Sequence, residues 1–425
     1  MRIYFSAIGG VGIGPLAMLA LDAGFFVTGS DLKESAMTEA LEQRGVKVEI
    51  GKQDGSHIAS THTELNPIDW FVYSSALPGD HPELVFAREH GIKTSKRDEF
   101  LNFFMQEKDL KLIAVAGTHG KTTTTAMITW LLRELNQQLS YSIGTNISFG
   151  PSAQYQPGAK YFIYECDEFD RNFLNFHPHL SVIASVDYDH PDTYPTINSY
   201  KQAFVDFIGQ SKRTLLWNQS ASYLQIPASD SVTIFNESET ATSEITLPGE
   251  HMRRNAWLAA QAVSEIMPEQ DVAVLNGIMR DFPGTSRRFE KLADNLYTDY
   301  AHHPVEITAT LAMAKELNQR VVVVYQPHQN IRQHEIVKED AYRHCFDGAK
   351  LVYWLPTYLS REDPKLPILS PTELLGATSS ETNAQYSDMN DVLWQKIQSH
   401  AKNGDLVLAL SAGDLDAWLR KKLQV

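Results

Sequence analysis

The sequence predicts an α/β protein of about three domains on mostly parallel sheets, and three observations carry that expectation. Short apolar, β-branched runs alternate along the chain with stretches of helical periodicity, the pattern of repeated βα units. Two of these units carry a glycine-rich turn between strand and helix, one at residues 9–14 and one at residues 117–120, as phosphate-binding α/β domains do. The 425 residues leave room for about three cores at roughly 150 residues each.

Composition narrows the class. Apolar residues make up 43% and charged residues 21%, ordinary values for a globular protein, and no run of eighteen apolar residues suggests a membrane span. The opening MRIYFSAIGGVGIG passes directly into a strand and turn without an apolar leader, so a cytoplasmic compartment is expected. Thirty-seven basic against fifty-two acidic side chains give a formal charge of −15, which argues against sequence-independent contact with nucleic acid. Any phosphate must therefore be met by local donors. Cys166 and Cys345 form no CxxC or zinc spacing, and the acidic neighbours of Cys166 disfavour a thiolate.

Taken in order, Arg2 to Ile8 reads as a strand, Gly9, Gly10, Gly12 and Gly14 as a turn, Pro15 to Ala23 as a helix, and Phe25 to Gly29 as a second strand ending at Ser30 and Asp31. Gly12-x-Gly14-x-x-Ala17 satisfies the looser dinucleotide fingerprint, and Asp31 stands where an acid meets a ribose hydroxyl. This pattern fits NAD or another nucleotide equally. A strand at Trp70–Tyr73 leads into Ser74-Ser75-Ala76, a helix spans Pro82 to Gly91, and a polar stretch near Gln106 to Asp109 ends the first domain.

Leu112 to Trp130 (LIAVAGTHGKTTTTAMITW) organises the centre of the chain. An apolar strand stops at Gly117 and a helix follows, so the turn places Gly117, Gly120, Lys121 and Thr122 where backbone N–H groups wrap a phosphate. Lys121 would neutralise β/γ oxygens and the Thr122 hydroxyl would reach Mg²⁺. The general P-loop asks for a glycine where Val115 stands, so the motif is the shortened GTHGKT. Two later strands, Tyr161 to Tyr164 and Leu180 to Val186, run into Glu165-Cys166-Asp167-Glu168-Phe169-Asp170 and Asp187-Tyr188-Asp189-His190-Pro191-Asp192. At the carboxyl ends of parallel strands both clusters would face the P-loop, offering oxygens and an imidazole to a Mg²⁺ held also by phosphates.

Beyond Trp217 the pattern weakens, and Gln219 to Glu244 is expected to be surface. His251-Met252-Arg253-Arg254-Asn255-Ala256 opens a helix through Val263 whose start could face a nucleotide base. Phe282-Pro283-Gly284-Thr285 reads as a linker. The βα alternation then resumes with strands at Leu296–Asp299, Val321–Tyr325, Leu351–Leu355 and Leu406–Leu410, a helix from Pro304, a loop around Ser360 to Ser380, and a terminal helix.

These residues together resemble the Mur ligase family, the ATP-dependent amide ligases of peptidoglycan synthesis, and within it the alanine-adding branch. The carriers are Gly9-Gly10-Val11-Gly12, Gly29-Ser30-Asp31, Ser74-Ser75-Ala76, GTHGKTTTT at Gly117 to Thr125, Glu165-Cys166-Asp167-Glu168, Asp189-His190-Pro191-Asp192-Thr193-Tyr194, His251 with Asn255-Ala256, Gly284 to Phe289, Asp299-Tyr300-Ala301-His302-His303-Pro304, and Gln326-Pro327-His328. The resemblance implies a Rossmann-like UDP-sugar domain (1–107), a central ATP-binding P-loop domain (108–284), and a C-terminal Rossmann-like domain (285–425) that closes over ATP and amino acid. It implies phosphorylation of the carboxylate of UDP-N-acetylmuramic acid and attack by the amine of L-alanine on the acyl phosphate. By the same resemblance, Gly117, Thr118, His119, Gly120, Lys121, Thr122 and Thr123 hold the ATP phosphates. Thr122 and Glu165 hold one Mg²⁺, and His190 another nearer the acyl phosphate. His251 and Asn255 meet the adenine region, and Arg287, Arg288 and Asp299 approach the nucleotide from the third domain. Gly10, Gly12, Ser30, Asp31 and Ser75 meet the UDP-sugar, and Tyr300, His302 and Arg332 line the amino-acid pocket.

The chain departs from the family in places. Where several later members carry a carbamoylated lysine it has Phe204, with Lys201 close by, as the alanine-adding branch would. After Gln326-Pro327-His328 that branch commonly reads two variable residues, Ser or Thr, then Arg-Thr, whereas this chain has Gln329-Asn330-Ile331-Arg332-Gln333. Cys166 replaces a more usual alanine. Three alternatives stand beside the reading: a cell-wall recycling ligase that adds a tripeptide to the same sugar, an NAD-dependent dehydrogenase built on Gly12-x-Gly14-x-x-Ala17, and a nucleotide-binding regulator without chemistry. The first generally has Glu-Pro-Arg in place of Gln326-Pro327-His328, the second leaves the P-loop unexplained, and intact Lys121, Glu165 and His190 count against the third.

Overall fold

The computed structural model describes residues 1–190, 193–237, 242–360, 362–363 and 365–424. Pro191 and Asp192 of the second acidic cluster lie outside these residues. Three sheets follow one another. The first contains β1 (Arg2–Ser6), β2 (Phe26–Asp31), β3 (Lys47–Ile50), β4 (Trp70–Tyr73) and β5 (Lys93–Lys96), all parallel, in the order β3-β2-β1-β4-β5. The order reverses between β1 and β4, so the turn after β1 and the loop after β4 flank the crevice where ligands of such sheets bind.

The second sheet contains β6 (Lys111–Ala116), β7 (Ser140–Ser142), β8 (Ala153–Gln154), β9 (Tyr161–Glu165), β10 (Leu180–Ile183), β11 (Thr214–Trp217) and β12 (Val232–Phe235). Its order is β12-β11-β10-β6-β9-β7-β8, with only the β7–β8 pair antiparallel. β6 is buried from Leu112 to Ala116 because both faces are covered, which is why it reads as an unbroken apolar run. The following helix, Lys121–Glu134, buries Thr122 to Thr125 and Thr129 despite their hydroxyls. The Thr125 and Thr129 hydroxyls each donate to the carbonyl four residues back, at 2.8 Å, which satisfies them inside the helix.

The third sheet contains β13 (Glu290–Ala293), β14 (Leu296–Asp299), β15 (Val321–Gln326), β16 (Leu351–Trp354), β17 (Ala384–Tyr386) and β18 (Leu406–Ser411), in the order β13-β14-β18-β15-β16-β17. Only β13 pairs antiparallel, at the edge. All six residues of β15 are buried.

The chain forms two compact units, Met1–Ala241 with Asn255–Phe282, and Thr242–Arg254 with Pro283–Val425. One apolar cluster runs through the first unit from Ile3 and Phe5 of the first sheet to Ala114 and Ile183 of the second. Phe104 meets Tyr155 edge-on at 5.4 Å and the Tyr155 N–H donates to Asp22 at 2.8 Å, tying the two sheets together. Two sequence expectations need correction. Gln219 to Glu244 is not merely surface, since a helix (Asn218–Leu224) and the edge strand β12 occupy part of it. The stretch from Ser360 to Ser380 holds a short helix, Pro371–Gly376, capped reciprocally by Ser370 and Glu373. All three elements are short and carry alternating or polar residues, which sequence periodicity alone does not separate from loop.

Candidate active site

At the end of β6 the chain must turn sharply to start the helix Lys121–Glu134, and two glycines make this possible. Gly117 has φ +133°, and a Cβ there would stand 2.6 Å from the Ser185 carbonyl oxygen. Gly120 has φ +84°, and its Cβ would stand 2.9 Å from the Asn255 side-chain oxygen. The Thr118 N–H donates to the Ser185 carbonyl at 3.0 Å and the His119 N–H to the Ser185 hydroxyl at 2.9 Å, so the segment just after β10 (Leu180–Ile183) braces the turn from one side. The Thr118 hydroxyl accepts from the Asp187 N–H at 2.9 Å and lies 2.7 Å from the Tyr200 hydroxyl. What remains toward the helix axis is the first turn of Lys121–Glu134, whose leading N–H groups have no acceptor within the helix and carry the positive end of its dipole.

Lys121 is folded back over this turn. Its ammonium donates to the Gly117 carbonyl and to Glu168 at 2.7 Å. Glu168 is fully buried and also lies 3.4 Å from the Tyr200 hydroxyl. Burial works against the charge on Lys121, but the carboxylates of Glu168 and Asp167 outweigh it and hold the ammonium above the ordinary lysine range. The Lys121 charge thus stands over the glycine turn at the start of the helix.

Two groups of possible cation ligands flank it. The Thr122 hydroxyl donates to Glu165 at 2.8 Å, and the other Glu165 oxygen accepts from the Gly144 N–H at 2.9 Å. Separately, Asp167, Glu168 and His190 offer ligand atoms all within 4.8 Å of one another. The His190 Nε2 lies 3.9 Å from Glu168 and 3.9 Å from Asp189. Carboxylate and hydroxyl oxygens with one imidazole fit a hard divalent cation that keeps part of its shell for water or phosphate. Among the predicted residues, the structure therefore brings together Gly117, Thr118, His119, Gly120, Lys121, Thr122, Thr123, Glu165, His190 and Asn255 in one unit. Asn255 packs under Gly120 there. Lys201 stands apart, with its ammonium 3.9 Å from the Tyr223 ring, and Phe204 is a buried core residue.

Around the first sheet the predicted residues have local employment. The Asp31 carboxylate accepts from the Gly9 N–H at 2.9 Å and the Lys33 N–H at 3.2 Å, so it pins the glycine turn. Ser30 is buried, its hydroxyl accepting from Gln53 at 2.8 Å. Gly10 and Gly12 are half-buried in the turn after β1, and Ser75 is exposed after β4. Arg97, which sequence reasoning passed over, bonds Asp98 at 3.2 Å, and a Cβ placed on Gly12 would stand 3.2 Å from its guanidinium. It brings a cation to the glycine turn.

The second unit gathers the remaining candidates at the carboxyl ends of β14, β15 and β18. Arg287 donates to the Ser411 carbonyl at 2.7 Å, and its guanidinium lies 4.7 Å from the Tyr300 ring, with that of Arg288 at 4.9 Å. Asp299 accepts from the Phe289 and Ala301 N–H groups, both at 2.7 Å, and burial pushes its pKa up to about 6, with Arg288 and those bonds pulling the other way. The His302 ring stands edge-on to His328 at 5.5 Å, and His328 stacks on Tyr358. Arg332 lies in the first turn of the helix Asn330–Lys338 and donates to Glu335 at 2.6 Å. His251 also belongs to this unit, and burial, aided by Arg253, lowers its pKa to about 4, so it is neutral near pH 7.

Ser185 and Arg97 are the site neighbours that sequence reasoning missed, and Asp167 and Glu168 were read only as members of an acidic cluster facing the turn. Glu168 was visible only as one acid in a run of four, and nothing in a linear pattern tells which acid of a cluster turns inward.

Three family models cover the chain in sequence: the Mur ligase family catalytic domain over residues 2–109, the Mur ligase middle domain over 115–228, and the Mur ligase glutamate ligase domain over 287–413. The chain is 30% identical to the UDP-N-acetylmuramate–L-alanine ligase of Caldicellulosiruptor bescii, with 98% of this chain and 97% of that one covered. To the enzyme of the same name from Renibacterium salmoninarum it is 33% identical, over 97% and 93%. Its fold matches the crystal structure of a UDP-N-acetylmuramate–alanine ligase from Thermotoga maritima with a TM-score of 0.77 at 23% identity, over 100% of this chain and 98% of that one. A murein peptide ligase from Psychrobacter arcticus matches with a TM-score of 0.65 at 22% identity, over 100% and 98%.

Proposed function

The chain belongs to the Mur ligase family, and from that premise we propose that it joins L-alanine to the carboxylate of UDP-N-acetylmuramic acid at the expense of ATP, through an acyl phosphate, in peptidoglycan precursor synthesis. The observation that carries the chemistry is the Lys121 ammonium, held charged over a glycine turn at the start of a helix, with acidic groups on both sides. Phosphoryl transfer asks for positioning and charge neutralisation more than covalent help, and this turn offers both.

The roles follow from the donors. The leading N–H groups of Lys121–Glu134 cradle the ATP phosphates, and Lys121 exchanges Glu168 for phosphoryl oxygens when they arrive. Thr122 with Glu165, and His190 with Asp167 and Glu168, are the ligand sets suited to Mg²⁺, which when bound neutralises phosphate charge. His251, being neutral, can face a base without repelling it, and Asn255 holds the turn. Arg287, Arg288 and Asp299 stand on the nucleotide side of the third domain. Gly10, Gly12, Ser30, Asp31 and Ser75 build the crevice for the UDP-sugar. Tyr300, His302 and Arg332 take the amino acid, with the guanidinium gripping its carboxylate. Among the described residues no helix is long and apolar enough to cross a membrane, which is compatible with the cytoplasmic site of action that this reading assigns.

The recycling reading keeps the same turn and acids and differs in the acceptor. The test is UDP-N-acetylmuramate-dependent ADP release with a panel of amino acids and the tripeptide L-alanyl-γ-D-glutamyl-meso-diaminopimelate. L-Alanine should support the fastest release, and preference for the tripeptide would replace this reading with the recycling one.

A further inference from the structure

A closed chain of buried side chains lies behind the proposed amino-acid pocket. The Tyr325 hydroxyl lies 3.0 Å from the His302 carbonyl and 2.7 Å from the Tyr342 hydroxyl. The Tyr342 hydroxyl bonds the side-chain oxygen of Gln333, and the Gln333 amide donates to the His328 carbonyl at 3.0 Å. Tyr325, Tyr342 and Gln333 are at most 1% exposed. The chain therefore begins at the backbone of one proposed pocket residue, His302, passes through the helix position next to Arg332, and ends at the backbone of His328, whose ring meets that of His302 edge-on.

A hydrogen count shows how tightly this arrangement is drawn. Four contacts are made, but the two hydroxyls and the one amide hydrogen directed at His328 supply three hydrogens. The Gln333 oxygen and both carbonyls can only accept. One of the four contacts therefore lacks a hydrogen at any moment, and removing the Tyr342 hydroxyl leaves the buried Gln333 oxygen without its donor. Burial pushes both phenols well above their ordinary range, so the links stay protonated at any working pH.

We propose that Tyr342 and Gln333 are positioning residues for L-alanine: they fix the spacing between the His302 loop and the first turn that carries Arg332, and so the width of the pocket. This rests on the reading that His302 and Arg332 line that pocket.

The test uses the intact protein and three variants, Tyr342→Phe, Gln333→Leu and their combination, with Arg332→Lys alongside. Steady-state ADP release gives KM for each substrate, with L-serine compared against L-alanine, and thermal melting reports the fold. Either single change should raise KM for L-alanine about fivefold or more and narrow the preference over L-serine, while kcat and the KM values for ATP and UDP-N-acetylmuramate stay within about twofold. The combined variant should show the same defect rather than the product of two, because one chain is broken once. It replaces both partners of the Tyr342–Gln333 bond by apolar groups and leaves only the His328 carbonyl without its donor, so it should melt no lower than the less stable single variant and remain assayable. An unchanged KM for L-alanine in the combined variant, or an equal rise for all three substrates, overturns the proposal. Should Arg332→Lys raise the KM for L-alanine while the chain variants do not, the pocket stands and the positioning role falls. Should Arg332→Lys have no effect while the chain variants do, the role of Arg332 falls and the positioning survives.

Discussion

Single side chains decide the chemistry of the central turn. On the proposed reading Lys121→Ala removes the cation that offsets phosphoryl charge, and turnover should fall about a hundredfold or more, roughly 3 kcal/mol of transition-state stabilisation. It also strands Glu168, which is fully buried and has Lys121 as its nearest cation. An unpaired buried carboxylate is costly, so the variant should melt several degrees lower, and adding Glu168→Gln should restore the melting temperature without restoring ADP release. Recovery of both together would show that Lys121 serves the fold alone. Glu165→Ala tests the cation reading. It removes an oxygen ligand, and the Mg²⁺ concentration for half-maximal rate should rise, whereas an unchanged Mg²⁺ titration would leave Glu165 as a partner of Thr122 and Gly144 only.

Elements show where the sequence was legible. β6, β10 and β15 are buried on both faces, so their apolar runs stand out without any alternation, and GTHGKT marks the turn after β6 because its glycines answer a backbone demand. Gly117 shows the demand directly. Gly117→Ala should cost more than about 2 kcal/mol, since the Cβ meets the Ser185 backbone rather than a yielding side chain, and a melting shift under a degree would contradict that contact. The edge strands β5 (Lys-Thr-Ser-Lys) and β17 (Ala-Gln-Tyr) pair through the backbone and leave no apolar period to read, and β3 (Lys-Val-Glu-Ile) alternates over only four residues. The site was legible in its residue types and not in their partners. That Asp31 holds Gly9 and Asp299 holds Phe289 and Ala301 depends on turn geometry that the spacing of letters does not contain.

At the scale of the whole molecule, acid stability has an identifiable contributor far from the turn. Asp405 is buried and receives Arg320 at 2.7 Å, Lys350 at 2.7 Å and His400 at 2.8 Å. Burial alone would raise its pKa, but those three donors lower it from 3.8 to about 2. The folded state thus holds the ionised form more tightly than the unfolded chain does. The stabilisation, on the order of 2 kcal/mol, is fully present above pH 4 and is lost as pH falls from about 4 toward 2. Asp405→Asn should therefore lower the melting temperature at pH 7, with the gap to wild type closing below about pH 3. A gap that persists into that range would mean that the network acts through shape and not through charge.

The helix Glu250–Ile266 has a consequence for anyone who cuts this protein into pieces. Its first residues, with the preceding segment, belong to the unit of the third sheet, while the rest from Asn255 onward belongs to the unit of the first two. Ile245, Leu247 and Met252 are buried, and Arg253 grips Glu316 with both terminal nitrogens, at 2.9 and 3.2 Å. A gene fragment beginning at the apparent linker, Pro283, would leave those apolar residues behind on the other piece. One encoding residues 242–425 keeps them but carries off Asn255–Phe282, whose buried Leu258, Val263 and Leu275 belong to the first unit, so both fragments should aggregate or melt broadly where the intact chain melts cooperatively. The seam visible in the sequence is therefore not where the polypeptide can be divided.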